Sequence, residues 1–356
     1  MVGSMRFKSH RLTELLGVEL PLVQAPMAGV QLSALTVAVS NTGALGSLPC
    51  AMLTPDALRQ ELAAIRAGTG RPFNVNFFCH TPPAADAARE AAWRAALAPY
   101  YGQLGLDLSA IPAGPGRQPF SEAVAEVLEE RPPAVVSFHF GLPPPALLAR
   151  VKAMGAKVLS SATTVAEAVW LEAHGADAII AQGLEAGGHR GMFLSDELST
   201  QIGTFALLPQ VRQAVRVPVI AAGGIADAQG VAAAMALGAD GVQIGTAYML
   251  CPEATTSALH RAALQSDGAR ETALTNLFTG RPARGIVNRV MRELGPVSPL
   301  APAFPTATNA IAPLRARCEA QGSTDFTPLW SGQNATGCRA IPAAELTREL
   351  AKGFGG

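Results

Sequence analysis

Short apolar segments alternate with longer amphipathic segments along most of this chain. Eight of the short segments are continuously apolar or rich in β-branched residues. This pattern is typical of strands that are buried on both faces of a parallel sheet. In chain order, the eight segments read LPLVQA, GALGSL, FNVNFF, AVVSFHF, KVLSS, DAIIAQ, PVIAAG and DGVQIG.

The segments between these strands carry helix signals. A Thr, Asp or Pro marks the start or a Gly the stop of each of TPDALRQELAAIRAG, PPPALLARVKAMG, TVAEAVWLEAHG and ADAQGVAAAMALG. Strand and helix alternate eight times over residues 5–267, which predicts an α/β fold, the (β/α)8 TIM barrel. The alternative is a doubly wound open sheet, which requires G-x-G-x-x-G after the first strand. Here APMAGVQ follows that strand, so the barrel is favoured.

Two regions depart from this alternation. Residues 81–132 are predicted to form an insertion with an extra helix and loop. Residues 268–356 are rich in Pro, Ala and Arg, and we predict that they form a helical C-terminal cap over the substrate. Within it, PLWSGQNA places Trp330 and Gln333 in a loop that would close over a ligand, although Trp330 could equally be a packed core residue.

Composition narrows the class of partner. Hydrophobic residues make up 49% and charged residues 15%, which excludes a disordered chain. Lys plus Arg equals Asp plus Glu at 27 each, and no apolar stretch is long enough to span a bilayer, so we expect neither nucleic acid nor membrane as a partner. The five cysteines form no CxxC pair or Cys/His cluster, and we therefore predict no metal site. We expect a cytoplasmic protein, monomeric or homodimeric, that acts on a small molecule.

Glycines at the ends of the last two predicted strands indicate a phosphate site. Phosphate often binds the loops after strands seven and eight of such barrels. Gly223 and Gly224 leave backbone N–H groups uncovered just before a helix that begins near Asp227, and Gly245 and Thr246 follow the next strand. Each glycine alone more often makes only a tight turn, but the two successive strand ends together favour phosphate. Neither segment contains lysine, which suits a retained cofactor better than a transferred phosphoryl group.

Other strand ends carry groups suited to a flat heterocycle. Pro26 and Met27 follow the first strand and offer a rigid turn beside a polarizable side chain. Asn74 and Asn76 are two residues apart and therefore share one face of the third strand. Gln182 ends the sixth strand. A ring system with alternating donors and acceptors would satisfy these amides.

The run AQGLEAGGHRG provides the candidate catalytic residue. His189 follows the adjacent Gly187 and Gly188, which lie where the chain leaves the sheet. A neutral imidazole there would hydrogen-bond a substrate oxygen or accept a proton, although a lone histidine is often only a core or surface residue. His139 ends the fourth strand and points to the same site, and His80 is a third candidate.

Several of these segments resemble the nitronate monooxygenase family, formerly called 2-nitropropane dioxygenases. The resemblance covers residues 18–333, and its most specific element is AQGxEAGGHxG. Related flavin-dependent enoyl and quinone reductases share EAGGH. Arg190 after the histidine, the FNVNFF strand and the late WSGQ favour the class I branch of nitronate monooxygenases. The other segments that carry the resemblance are QAPMAGV, VVSFHFG, PVIAAGGI and QIGTAY.

The resemblance implies a barrel that binds FMN and oxidises alkyl nitronates, such as propionate 3-nitronate, with O2 to a carbonyl compound and nitrite. His189 matches the active-site histidine of the family, and Glu185 is expected to have a structural role. His139 and Tyr248 are expected substrate contacts, with packing as the alternative for Tyr248. With the strand-end residues above, the expected cofactor contacts are Ala25, Pro26, Met27, Asn76, Gln182, Gly187, Gly188, Gly223, Gly224, Gln243, Ile244, Gly245, Thr246, Trp330 and Gln333.

Two alternative functions remain open from the sequence. The first is an FMN-dependent NAD(P)H:quinone or enoyl reductase on the same barrel. The second is a barrel that binds a phosphorylated ligand without turning it over.

Overall fold

Eight parallel strands form the centre of the molecule in this computed structural model, which describes residues 9–111 and 116–355. Each of these strands coincides with one of the predicted apolar segments, and only β2 and β5 extend one residue beyond theirs, so the prediction of a (β/α)8 barrel is confirmed. In chain order the strands are β1 (Leu22–Gln24), β2 (Gly46–Pro49), β3 (Phe73–Phe78), β4 (Val135–His139), β5 (Lys157–Ala162), β6 (Ala178–Gln182), β7 (Gly188–His189), β8 (Val219–Ala222), β9 (Gly241–Ile244), β10 (Thr272–Thr275) and β11 (Ala283–Ile286).

The eight-stranded sheet is closed. Its order is β1-β9-β8-β6-β5-β4-β3-β2, and a parallel bridge between Val23 and Leu45 joins the two end strands. Leu45 N–H donates to Leu22 O and Gln24 N–H donates to Leu45 O, both at 2.9 Å. No edge of this sheet is therefore left unpaired at the β1–β2 seam.

The helices begin and end where the sequence signals predict. Thr54 Oγ accepts a hydrogen bond from Ala57 N at the start of α3, and the Asp227 carboxylate accepts from Gly230 N at the start of α9. The helices are α1 (Arg11–Leu16), α2 (Ser33–Ser40), α3 (Pro55–Gly68), α4 (Ala87–Leu104), α5 (Glu122–Glu130), α6 (Pro145–Ala153), α7 (Val165–Ala173), α8 (Thr204–Ala214), α9 (Ala228–Ala236), α10 (Ala258–Gln265), α11 (Arg289–Glu293), α12 (Ala307–Ala320) and α13 (Ala343–Ala351).

Helix α1 closes the amino end of the barrel. Its Leu12 and Leu16 are buried in the same cluster as Val23 and Ile180 of the barrel interior. A Cβ added at Gly241, the first residue of β9, would lie only 2.3 Å from Leu12 Cδ2. Only a glycine therefore lets the helix approach this closely. The carboxyl ends of the strands are left for a functional site.

The predicted insertion, residues 81–132, contains two helices with different roles. Helix α4 packs against α12 of the cap, where Trp93 Nε1 donates to Ala307 O at 3.2 Å and Tyr101 OH donates to Ala310 O at 2.6 Å. Helix α5 packs between α3 and α6 and belongs to the barrel wall. The extra helix of the insertion is therefore α4. Residues 112–115 of this segment, and 5–8 of the predicted barrel, lie outside the described residues.

The predicted cap, residues 268–356, contains α11 and α12 and, in addition, two strands that the sequence did not signal. Helix α13 does not cover the strand ends as predicted, because it packs against α2 and α9 of the barrel. Strands β10 and β11 form an antiparallel pair, and β11 also pairs with β7, opposing Ala283 to His189. The cap is thus hydrogen-bonded to the loop that carries the candidate histidine. Across the described residues, no helix is both long and apolar enough to cross a membrane.

Candidate active site at the carboxyl ends of the strands

A cavity opens at the carboxyl ends of the barrel strands, with about 190 Å³ of space that the centre of a water molecule can occupy. The structure brings together there His189 and all but two of the expected cofactor and substrate contacts. These are Ala25, Pro26, Met27, Asn76, His139, Gln182, Gly187, Gly188, His189, Gly223, Gly224, Gln243, Ile244, Gly245, Thr246 and Trp330.

The two exceptions are Tyr248 and Gln333. Tyr248 is completely buried in the outer core and its hydroxyl lies 2.9 Å from Thr347 Oγ of α13, because the 3-10 turn after β9 directs it away from the cavity. The expected substrate contact is therefore wrong, and Tyr248 is a packing residue. The Gln333 side chain is exposed, and this residue instead donates its backbone N–H to Glu185 O at 2.9 Å. Its neighbours Trp330 and Asn334 line the cavity.

One end of the cavity is suited to an anion. Gly223 and Gly224 have φ values of 114° and 74°, in the left-handed region that favours glycine. The backbone N–H groups of Gly224 and Thr246 donate to no other described residue. Thr246 Oγ accepts from Gly332 N at 3.0 Å, which leaves its own proton available to a ligand. These donors could hold a phosphate.

The amides at the other strand ends are only partly available. Asn76 Nδ2 donates to Ser137 Oγ at 2.9 Å, which fixes the side chain against β4. Both polar atoms of the Gln182 side chain are used, since Nε2 donates to His189 O at 3.0 Å and Oε1 accepts from Gly191 N at 2.8 Å. Gln182 therefore holds the β7 segment in place. Gln243 Oε1 is buried and has no partner among the described residues, so it needs a donor from a ligand.

His189 lies on β7 with its ring facing the cavity. Its Nε2 is 2.9 Å from Thr279 Oγ of the cap. Burial lowers the pKa of the imidazole well below its usual range, and the nearby Arg117 acts in the same direction. The ring is therefore neutral at physiological pH. It can donate or accept a hydrogen bond, but it is a weak base.

His139 lines the cavity, but both of its ring nitrogens are occupied by protein groups. Nε2 is 3.1 Å from His189 O, a carbonyl that can only accept, so this nitrogen carries the proton. Nδ1 then accepts from Ser161 Oγ at 3.1 Å. Burial lowers the pKa of His139 to about 4. The geometry fits the positioning of the His189 backbone, not the substrate contact expected from the sequence.

Four aromatic rings lie around the His189 imidazole. The ring centroids of Phe78, Phe140, Phe304 and Trp330 lie 6.2, 6.1, 5.4 and 5.5 Å from that of the imidazole. Phe140 has a φ of 70°, a strained conformation for a side chain of this size. These four rings form an aromatic wall. His80, the third candidate histidine, does not line this cavity. Its ring packs against Phe304 of the aromatic wall, with 4.7 Å between the two ring centroids.

Sequence reasoning missed several residues of the site. Phe78 and Phe140 end or follow predicted strands, so their position was a usable signal. Thr279, Phe304 and Arg117 come from the cap and the insertion, and no local pattern indicates that these segments reach the barrel. No Asp or Glu lines the cavity in the part of the chain that the structure describes, which favours an anionic ligand. Among these residues, no cluster of His, Cys, Asp or Glu could hold a metal.

Taken together, the fold and the cavity define a (β/α)8-barrel protein with a ligand site at the strand ends, built from glycine turns and a buried neutral imidazole. Residues 9–353 match the family model described as nitronate monooxygenase, and the chain belongs to this family. The resemblance stated from the sequence motifs is therefore confirmed.

Relatives of high similarity cover almost the whole chain. A nitronate monooxygenase of Pseudomonas aeruginosa is 44% identical over 347 residues, which are 96% of this chain and 98% of the relative. One from Paraburkholderia phytofirmans is also 44% identical, covering 95% of this chain and 93% of its own. The crystal structure of a nitroalkane oxidase from Streptomyces ansochromogenes matches with a TM-score of 0.87 and 41% identity, covering 97% of each chain. FabK from Thermotoga maritima matches with a TM-score of 0.73 and 28% identity, covering 99% of this chain and 96% of its own.

Proposed function

We propose that this protein is an FMN-dependent nitronate monooxygenase that oxidises alkyl nitronates, such as propionate 3-nitronate, with O2 to a carbonyl compound and nitrite. Family membership supports the reaction class, and so does the similarity to a structure described as a nitroalkane oxidase. The observation that carries the proposal is the neutral His189 imidazole in an aromatic wall, facing a cavity that no described acidic residue lines. An anionic nitronate would be accepted there without charge repulsion.

The residues of the cavity fit FMN. The free N–H groups of Gly224 and Thr246 and the Thr246 hydroxyl suit its phosphate. The buried, unpartnered Gln243 Oε1 suits an N–H donor on the edge of the ring system. Pro26, Met27 and Trp330 supply apolar surface for its rings. Bound FMN would supply the electron-transfer and oxygen chemistry of the reaction.

His189 would orient and polarise the substrate. A nitronate is already deprotonated, so the imidazole only needs to present a hydrogen bond to a nitro oxygen. Thr279 forms a hydrogen bond with the His189 ring. Gln182 and His139 both donate to the backbone carbonyl of His189 and so fix the backbone that carries the ring. Because its pKa is lowered by burial, it would remove a proton from a neutral nitroalkane only slowly.

The decisive experiment measures nitrite release together with O2 uptake from propionate 3-nitronate and from the nitronate of 1-nitropropane. The purified protein should show the visible absorption band of oxidised flavin and produce nitrite from at least one nitronate. A yellow protein that consumes neither substrate would remove the proposal. Rapid anaerobic bleaching of the flavin by NADH would then indicate a reductase. A protein that takes up no FMN would indicate a barrel that binds another phosphorylated ligand without turning it over.

A further inference from the structure

A second cavity adjoins the first on the far side of the aromatic wall. It is formed where the insertion meets the cap, and Arg117 lines both cavities. The other side chains that line this second cavity are those of His80, Pro82, Gln118, Pro119, Pro305, Thr306 and Asn309. The guanidinium of Arg117 therefore lies at the boundary of the two spaces.

Arg117 has no counter-ion among the residues that the structure describes. It is the only Lys or Arg lining either cavity, and no Asp or Glu lines them, among the described residues. It makes no ion pair with any carboxylate that the structure describes. Its contacts are Thr308 Oγ, 3.4 Å from Nη1, and the Phe304 ring, whose centroid is 5.9 Å from Cζ. Arg117 is partly exposed. A guanidinium that is partly removed from water and lacks an anion is unfavourable, and a ligand anion would relieve that cost.

The second cavity also contains an unsatisfied polar atom. The His80 side chain is 5% exposed, and its buried Nδ1 has no hydrogen-bond partner within the described ranges. Protein interiors rarely leave such an atom unpaired. This observation is independent of the Arg117 charge, and it points to a polar ligand group in the same space.

Phe304 links this region to His189. Its ring centroid is 5.4 Å from that of His189 and 5.9 Å from the Arg117 guanidinium carbon. The distance from the guanidinium carbon of Arg117 to the centre of the His189 ring is therefore at most the sum of these two distances. A short aliphatic chain spans such a separation.

We propose that Arg117 is a specificity-determining residue that binds a carboxylate at the end of the substrate remote from the nitronate group. This rests on the proposed function, because the nitronate end is assigned to His189. A nitronate that carries a carboxylate would pair with the guanidinium, whereas a simple alkyl nitronate would leave that cation unpaired. The protein should thus prefer carboxylated nitronates.

Kinetics with a matched pair of substrates test the assignment. Propionate 3-nitronate and the nitronate of 1-nitropropane have the same carbon count, and only the first carries a carboxylate. In Arg117→Gln, kcat/KM for propionate 3-nitronate should fall at least about tenfold, while that for the propyl nitronate changes less than about threefold. Arg117→Lys should recover part of the loss, because it restores the charge but not the planar fork. Arg315→Gln is the control, since Arg315 is exposed, pairs with Glu319 and lines neither cavity.

Binding without turnover separates this proposal from the proposed function. Anaerobic calorimetric titration of the flavin-loaded protein with 3-nitropropionate and with 1-nitropropane needs no oxidation of either. The dissociation constant of 3-nitropropionate alone should rise at least about tenfold in Arg117→Gln. Equal weakening of both ligands, or no change in either, would overturn the Arg117 assignment even if nitronates are oxidised. If no nitronate is oxidised but the selective loss of binding appears, the subsite stands and the proposed reaction fails.

Discussion

The histidines around the site are held uncharged by their surroundings. Burial is the main cause that lowers the pKa of His189, His139 and His80. The positive charge of Arg281 lowers the pKa of all three further, and that of Arg117 lowers the pKa of His189 and His80. A protonated imidazole there would meet several other cations in a poorly solvated space. The site therefore presents neutral hydrogen-bonding rings, which suits orientation of an anion better than proton abstraction.

Replacing His189 by Asn tests that distinction. The variant should keep its flavin, because the phosphate end of the cavity involves other residues. Turnover of a neutral nitroalkane should fall by about 10²-fold or more, and turnover of its nitronate should fall less, since the nitronate needs no base. Steady-state nitrite release from both forms of one compound checks this. Equal losses on the two forms would refute any role as a base, and His174→Asn on the exposed surface should change neither rate.

Thr279 supplies the only side-chain hydrogen bond to the His189 ring among the described residues. In Thr279→Val the hydroxyl is lost at nearly constant shape, so the imidazole should rotate more freely and kcat for the nitronate should fall roughly tenfold. Thr279→Ser keeps the hydroxyl and should restore most of the rate. The flavin spectrum should be the same in both variants. A serine variant as slow as the valine variant would argue against the hydrogen bond.

Single residues were predictable from the sequence where a strand end fixed their position. Gly224 and Thr246 each lie two residues after a barrel strand, so their place at the barrel rim followed from the strand assignment, and the glycine pair before His189 indicated where the chain leaves the sheet. Tyr248 lies only two residues after Thr246, yet the 3-10 turn reverses its direction into the core. No periodicity indicates such a turn. Side-chain direction was therefore less predictable than position along the chain.

At the scale of elements, a carboxylate joins two loops next to the turn at Gly223 and Gly224, which we propose binds the FMN phosphate and call the phosphate turn. Glu185 follows β6, and its carboxylate accepts from Thr204 N and Thr204 Oγ, both at 2.8 Å, at the start of α8. The Thr204 hydroxyl also lies 3.0 Å from Gly223 O. The negative carboxylate is placed at the positive end of α8, which favours this arrangement. This geometry fits the structural role that was expected for Glu185 from the sequence.

Replacing Glu185 by Gln should loosen the phosphate turn. One charge-assisted acceptor becomes an amide, which costs about 1 kcal/mol, and FMN should bind roughly tenfold more weakly as Gly223 and Gly224 become less ordered. Fluorescence titration of the apoprotein with FMN measures the dissociation constant directly. Glu197→Gln changes an exposed carboxylate between β7 and α8 and should leave the constant unaltered. Unchanged affinity in Glu185→Gln would exclude the Glu185 carboxylate from cofactor binding.

The eight barrel strands could be predicted because each is a local apolar run with its own flanking signals. Strand β7 could not, since it comprises only Gly188 and His189 and exists through pairing with β11, almost a hundred residues later. The segment of α5 was predicted to belong to the insertion, because a long segment separates it from the preceding barrel strand. Its packing between α3 and α6 in the barrel wall is not visible in the sequence. Contacts between distant segments therefore set the limit of sequence interpretation for this fold.

For the whole molecule, the absence of net charge conceals an uneven internal distribution. Lys plus Arg and Asp plus Glu both number 27, yet no described acidic residue lines either cavity. The barrel also buries several histidines in neutral form. His260 is one of them outside the site, where its Nε2 donates to Trp330 O at 3.1 Å and so supports the cap segment over the cavity.

Buried neutral histidines should make the folded protein sensitive to mild acid. The pKa of His80, His139 and His260 is lowered to about 4, and that of His189 is lowered well below its usual range, chiefly by burial. Histidines of the unfolded chain titrate near 6.5. Between about pH 6.5 and 5 the unfolded state therefore binds more protons, and the free energy of unfolding falls as pH falls, by roughly 1 kcal/mol or more for each histidine. This window lies above the ordinary pKa of carboxylates, so histidines dominate the change.

Urea midpoints of unfolding, measured across this pH window, check the sign of the change. His260→Gln keeps a donor for Trp330 O and should flatten the pH dependence, whereas His174→Gln, at an exposed position, should not. A urea midpoint that stays constant or rises on acidification would contradict the neutral burial of these rings.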